Sequence, residues 1–188
     1  MQKINIRQIT GKRSHPADTP YVDLAERFEQ FYPKVYNYLR YRVSNPADAE
    51  DLVSAAFERA YTSRHQFDES KGSFSTWLFS IARNILIDHH RAHSRHAAWV
   101  DSDSLSPDLV TAGPTPETQV VQQEMVAAML ESLARLGERD QEIISLKFAG
   151  RLKNKEIGEI LGMKEKTVSV ALLRAMRRLR QHMEQEAA

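Results

Sequence analysis

Apolar positions recur at helical spacing through most of the chain. From Leu24 they return at Phe28, Phe31, Val35, Leu39 and Val43, in the three- and four-residue steps of one face of an α-helix. Pro33 falls inside this run. It predicts a kink or a restart there, because proline removes a donor and crowds the preceding turn. Asn45-Pro46 reads as a helix cap followed by proline at the first helical position. The helix it opens carries Asp48, Glu50 and Asp51 in its first turns and an apolar face of Leu52, Val53, Ala56, Phe57 and Ala60. A polar loop over 65–72 ends it at Gly72. Ser73 then caps a third helix over about 73–95, with Phe74, Trp77, Leu78, Ile81, Ile85 and Leu86 as its apolar positions. Three amphipathic helices with short connections make a compact helical domain.

The second half has the same grammar. Helices resume near Val120, with Val126, Met129, Leu130, Leu133 and Leu136 on one face, closed by Gly137. A further helix over about 139–149 places Ile143, Ile144, Leu146 and Phe148 together. Residues 96–123 differ in kind: they hold three prolines, four acidic residues and no Lys or Arg, the composition of a linker. No stretch alternates like a strand. The pattern predicts an all-α protein of two small helical domains joined by an acidic flexible linker. Its parts are a flexible extension over 1–20, a first domain over 21–95, the linker over 96–123 and a second domain over 124–188.

Residues 154–180 carry the spacing of a helix-turn-helix. Gly158 is small where two helices cross closely, Gly162 can take the positive φ of the turn, and Val168 is apolar where the second helix meets the core. Ile157, Ile160, Leu161, Leu172 and Leu179 complete the apolar face. The exposed face of the second helix then holds Lys164, Lys166, Thr167, Ser169, Val170 and Arg174. Long basic and short hydroxyl side chains suit phosphates and base edges in a major groove. An ordinary helical hairpin is the plainer reading of the same spacing.

Charge decides between them better than spacing does. The 188 residues have a formal net charge of only +1, which taken whole says nothing for nucleic acid. Yet 151–180 holds nine basic residues, Arg178 among them, against three acidic ones, the footprint of a polyanion partner. Apolar residues at 41% are enough for a core, and the chain has no cysteine. That excludes a disulfide scaffold, a thiolate metal site and a cysteine nucleophile, and fits a reducing cytoplasm. No apolar run is long enough to insert in a membrane, and no secretory leader is legible at the start.

The third helix has a polar face of Ser80, Arg83, Asn84, Asp88 and Arg91 beside its apolar stripe. Phe74 and Trp77 stand at its start, next to the polar loop. Aromatic rings beside cations and amides suit unstacked bases; aromatics at helical spacing equally suit a core. Asp48, Glu50 and Asp51 complement a helix macrodipole, or form an acidic patch for a basic protein surface. His89, His93 and His96 step by four and three and can share a helical face. No fourth ligand with motif spacing accompanies them, so no metal and no cofactor is expected.

Three stretches together resemble the extracytoplasmic-function (ECF) group of bacterial RNA polymerase sigma factors. They are YPKVYNYLRYRVSNPADAEDLVSAAFERAY, FSTWLFSIARNILIDHHR and LGERDQEIISLKFAGRLKNKEIGEILGMKEKTVSVALLRAMRRLR, in the family's order with an acidic linker between. The resemblance implies a non-enzymatic, cytoplasmic factor that binds core RNA polymerase, directs it to a promoter and assists opening. It implies polymerase contacts at Asp48, Asp51, Leu52, Ala55 and Glu58. Loop 65–73 with Phe74, Trp77, Asn84, Asp88 and Arg91 would take the single-stranded −10 element. The second domain would read the −35 duplex through Lys164, Lys166, Thr167, Ser169, Val170, Arg174 and Arg178. An anti-sigma factor is the further partner it implies.

The sequence departs from the family at three places. Ser54-Ala55 stands where Gln-Glu is common, and Lys164 where a capping Ser or Thr is common, which predicts a frayed or later start of the recognition helix. Ser169-Val170-Ala171 stands where Lys-Ser-Arg is common, so Val170 or Ala171 is left to meet a thymine methyl. The rival readings are a two-domain regulator that binds duplex DNA without polymerase, and a metal-dependent enzyme built on the three histidines.

Overall fold

The computed structural model describes residues 24–96 and 116–186. The extension read over 1–20 and residues 97–115 of the linker read over 96–123 lie outside the described residues. Among the described residues all regular structure is helical: α1 Leu24–Arg40, α2 Pro46–Thr62, α3 Phe74–His96, α4 Pro116–Ala134, α5 Glu138–Ile144, α6 Asn154–Leu161 and α7 Glu165–Glu186. A 3-10 turn, Arg64–Gln66, follows α2, and a π-helical turn, Ser145–Ala149, continues α5.

The caps explain the boundaries. Asn45 Oδ1 accepts the Ala47 N–H at 2.9 Å, and Pro46 opens α2. Ser73 Oγ accepts the Thr76 N–H at 3.1 Å, which starts α3. Each such cap stabilises its helix by about 1 kcal/mol.

Several expectations are corrected. α1 runs through Pro33 without a restart. The carbonyl that loses its helical partner belongs to Glu29, an exposed position open to solvent. α4 begins at Pro116, inside the segment read as linker, because proline fits the first helical position. The expected continuous helix over 139–149 is interrupted by the π turn, closed by the Gly150 N–H on Ser145 O at 2.9 Å. Such a turn inserts an extra residue and rotates the next side chains about the helix axis. Leu146 and Ala149 stay buried, but Phe148 swings off the apolar face and is 50% exposed.

The helix-turn-helix of α6 and α7 is set by its glycines. A Cβ at Gly158 would lie 2.5 Å from the Met163 carbonyl oxygen, so only glycine lets the turn approach. Gly162 has φ +65°, and the Met163 N–H closes on Gly158 O at 2.8 Å. α7 does not fray at Lys164. The Thr167 and Val168 N–H groups bond the Lys164 carbonyl at 2.9 and 3.1 Å, and fully buried Val168 anchors this first turn without a side-chain cap.

The two helical units pack on one another. Tyr38 of α1 and Phe79 of α3 are both fully buried, ring edge to face with centroids 5.5 Å apart. Gly150 lies flat on Phe79: a Cβ there would come within 2.9 Å of the ring. Leu146, Leu152, Ile157 and Val168 join the same buried cluster as Val35, Leu39, Leu78 and Ala82. Burying one Phe side chain is worth about 2 kcal/mol. A smaller cluster of Leu133, Leu136, Ile144, Ala175 and Leu179 holds the second unit internally. Across the seam, Arg83 Nε donates to Glu142 Oε1 at 2.7 Å, with both side chains largely covered.

That ion pair yields a charge-swap prediction. Glu142→Arg sets two guanidinium groups against each other and costs on the order of 1–3 kcal/mol of closure. The radius of gyration in solution scattering should rise. Adding Arg83→Glu should restore the compact value; an unchanged radius in the single variant contradicts a closed seam.

Candidate nucleic-acid and protein interface

α2 and α3 form a groove of about 890 Å³. Its α2 wall includes Ala55 and Glu58, and its α3 wall includes Asn84, Asp88 and Arg91. Positions assigned from the sequence to polymerase and to −10 DNA therefore share one concave surface. Arg91 Nη1 lies 3.8 Å from Asp88 Oδ1 with both side chains exposed, a loose pair that a stronger partner can replace. Ser54 is exposed and its hydroxyl bonds Glu50 O at 2.9 Å.

The remaining α2 positions divide. Asp51 is exposed and open to a partner. Leu52 is 7% exposed, so its side chain packs in the core in this arrangement. It lies on the same stripe as Val53 and Ala56. Asp48 points away from the groove, with Oδ2 3.9 Å from His89 Nε2. Burial, then the neighbouring His93, hold His89 below the usual imidazole range, against the opposing pull of Asp48.

At the start of α3, Phe67, Phe74 and Trp77 form one aromatic cluster. Phe67 lies 5.5 Å from Phe74 and 5.2 Å from Trp77, and Phe74 lies 5.6 Å from Trp77. Phe74 is 5% exposed and carries Arg27 over its ring at 4.9 Å, so it is a core ring in this arrangement and offers no face to a base. Trp77 is half-buried at the edge of the cluster. Phe67, which sequence reasoning leaves unnamed inside a polar loop, is the anchor of that loop. Around it Asp68 Oδ1 accepts the Ser70 N–H at 3.0 Å and its hydroxyl at 2.7 Å. Those bonds, then Lys71, hold the Asp68 carboxyl below its usual range.

The second unit covers this corner. Ser73 Oγ donates to Glu156 Oε1 at 2.9 Å, the Ser75 hydroxyl donates to the same oxygen, and Thr76 Oγ1 donates to Glu159 Oε2 at 3.3 Å. Glu156 also takes the Lys153 N–H at 2.9 Å. Burial pushes its carboxyl up, but the bonds from Ser75, Lys153 and Ser73 outweigh this and hold it below its usual range. Two α6 carboxylates thus sit at the N-terminus of α3, where the helix dipole favours a negative group. No sequence spacing links residues 73–76 to 156–159.

On α7, Lys164, Lys166, Thr167, Val170 and Arg174 are exposed together, with Val170 50% exposed. Ser169 is turned toward α6, where its hydroxyl accepts from Asn154 Nδ2 at 2.9 Å. Asn154 in turn accepts from Lys147 Nζ at 2.8 Å. Arg178 is ion-paired with Asp140 of α5, so its first role is to brace α7. Among the described residues no helix is long and apolar enough to cross a membrane.

Comparison with known proteins agrees with this arrangement. Residues 27–96 match the model of Sigma-70 region 2, and residues 127–179 that of Sigma-70, region 4. ECF RNA polymerase sigma factor SigW of Bacillus subtilis is 30% identical over 165 residues, covering 85% of this chain and 88% of that protein. ECF RNA polymerase sigma factor BldN of Streptomyces coelicolor is 32% identical over 152 residues, covering 81% of this chain; the match spans 57% of that longer relative. The fold is shared with the sigma factor RpoE solved in complex with the anti-sigma factor NepR from Bartonella quintana. That likeness has a TM-score of 0.69 at 21% identity and covers 86% of this chain and 97% of that one. The two matched regions occupy most of the chain, in the order the helices require, and the chain belongs to the family of ECF RNA polymerase sigma factors.

Proposed function

We propose that this sigma factor docks on core RNA polymerase through the exposed side of α2, centred on Asp51, Ala55 and Glu58. It takes unstacked −10 bases along the loop over 65–73 and α3, and reads −35 duplex with the first turns of α7. The α7 surface is the single observation that carries this reading: four cationic or hydroxyl side chains and one apolar side chain stand exposed on a helix whose opposite face is locked into the core. Lys164, Lys166 and Arg174 supply phosphate contacts, and Thr167 and Val170 are short enough to reach base edges and a thymine methyl.

At the −10 site, Trp77 and Phe67 offer ring surface for stacking, while Asn84, Asp88 and Arg91 line the groove beyond. Unstacking a base costs a few kcal/mol, which stacking and charge must offset. The chain contributes binding energy and positioning and no catalytic group, and it acts in the cytoplasm with polymerase. An anti-sigma factor is the partner that holds it inactive. A relative of the same fold is bound by one, and Leu173, Met176 and Met183 stand exposed along α7, an apolar stripe that suits a protein partner.

Transcription in vitro with core polymerase on genomic fragments tests the whole reading. Discrete transcripts should require the chain; specific duplex binding by the free protein with no transcripts would favour a regulator that works without polymerase. Asp51→Arg, at an exposed position, should abolish co-purification with core polymerase while leaving the far-ultraviolet circular dichroism unchanged. Normal co-purification removes Asp51 from the dock. Arg174→Glu should weaken promoter binding and lower the slope of log affinity against log salt by about 1. An unchanged slope means that Arg174 meets no phosphate.

A further inference from the structure

Three side chains from two helices meet where the start of α2 lies beside the end of α3. Asp48 stands in the first turn of α2, and His89 and His93 one turn apart near the end of α3. One ligating atom from each lies within 4.8 Å of the other two. His89 Nε2 and Asp48 Oδ2 are 3.9 Å apart. That is too far for a hydrogen bond and longer than the ~3.3 Å between neighbouring ligand atoms of a tetrahedral ion. The two imidazoles lie one over the other, with centroids 3.9 Å apart and planes tilted by 31°.

The protonation pattern also fits. His93 Nδ1 lies 3.0 Å from the His89 carbonyl oxygen. A carbonyl only accepts, so Nδ1 carries the proton and Nε2 keeps its lone pair. This is the arrangement by which a backbone carbonyl orients a metal-binding histidine. The His89 side chain is 16% exposed and Asp48 36%, so one side of the cluster is walled by protein and the other is open to water.

We propose that Asp48, His89 and His93 form a binding site for a divalent first-row transition ion of the zinc type, with water completing its shell. Two imidazoles and one carboxylate are a donor set for Zn²⁺ and its neighbours, and not for Mg²⁺, which demands oxygen ligands. In a tetrahedral site the ligand atoms stand about 3.3 Å apart, so closure needs shifts on the order of 1 Å in side chains on a partly open surface. Asp88 and Arg91, proposed for −10 DNA, are neighbours of these histidines in sequence but line the groove, and the metal site stands without them. Bound metal would tie the start of α2 to the end of α3. It would also engage the Asp48 carboxylate, leaving Glu50 and Asp51, both exposed, as the acids available on that turn.

The test uses the full, untagged chain, titrated with Zn²⁺ by calorimetry and with Co²⁺ by visible absorption. One equivalent should bind, with the intense d–d bands of a low-coordinate nitrogen–oxygen site, and Tm should rise with Zn²⁺ and not with Mg²⁺. Asp48→Asn and His93→Ala should each weaken binding at least tenfold and remove the Tm shift, with unchanged circular dichroism in the absence of metal. His65→Ala, outside the cluster, should bind as the parent does. No stoichiometric binding overturns the proposal. So does loss in His96→Ala with full retention in Asp48→Asn, because the ligands would then be histidines of α3 alone.

Discussion

The seam around Phe79 is the constraint on which the rest of the arrangement depends. Phe79 lies off the apolar stripe that packs α3 against α2. A ring there would be solvated on an isolated first unit. It is dry because Gly150 lies flat against it and Tyr38 meets its edge. That contact fixes where the π turn sits, and the π turn fixes the direction of α6. α6 then carries Glu156 and Glu159 to the start of α3, and α7, braced by Arg178 on Asp140, turns its basic face outward. Replacing Gly150 by any larger residue would push on the Phe79 ring and the Leu146 carbonyl together, so one small residue transmits the geometry from one unit to the other.

The same seam carries a cost. The Tyr38 hydroxyl is buried with no hydrogen-bond partner among the described residues. A buried unpaired hydroxyl costs about 1–3 kcal/mol, comparable with what the ion pair of Arg83 and Glu142 returns. The orphaned hydroxyl and the ion pair thus roughly offset one another, and closure rests on the apolar contacts of the shared cluster.

Local features are the legible part of the sequence. Asn45, Ser73, Gly158 and Gly162 each act within five residues of themselves, through a cap, a close approach or a positive φ, so residue type and spacing predict them. The all-α character and the two helical units follow from the period of apolar positions. Features decided by distant partners are the illegible part. Phe79 and Tyr38 are buried by a surface some 70 to 110 positions away along the chain. Phe148 is exposed because the π turn shifts the helical phase, which an ideal 3.6-residue period does not anticipate. The family resemblance makes Leu52 and Phe74 partner contacts, whereas their apolar stripes place them inward, where they lie in this arrangement. The histidines lack a companion ligand in the sequence only because Asp48 lies on another helix.

The closed seam and the proposed promoter complex place opposite demands on the start of α3. A helix N-terminus with serine and threonine hydroxyls is a natural seat for an anion. In the closed arrangement the Glu156 and Glu159 carboxylates fill that seat, where single-stranded DNA would bring phosphates. Geometry makes the two states exclusive as well. The −10 and −35 elements are about 25 base pairs apart by their names, on the order of 80 Å of duplex. α3 is only about 35 Å long at 1.5 Å per residue, and α6 touches its first turn. A chain closed in this way cannot reach both elements at once. If the proposed −10 and −35 surfaces act together on one promoter, the contacts of Glu156 with Ser73 and Ser75 part and Phe79 loses its cover. On the proposed reading the carboxylates and the promoter phosphates compete for the same hydroxyls, Ser73, Ser75 and Thr76.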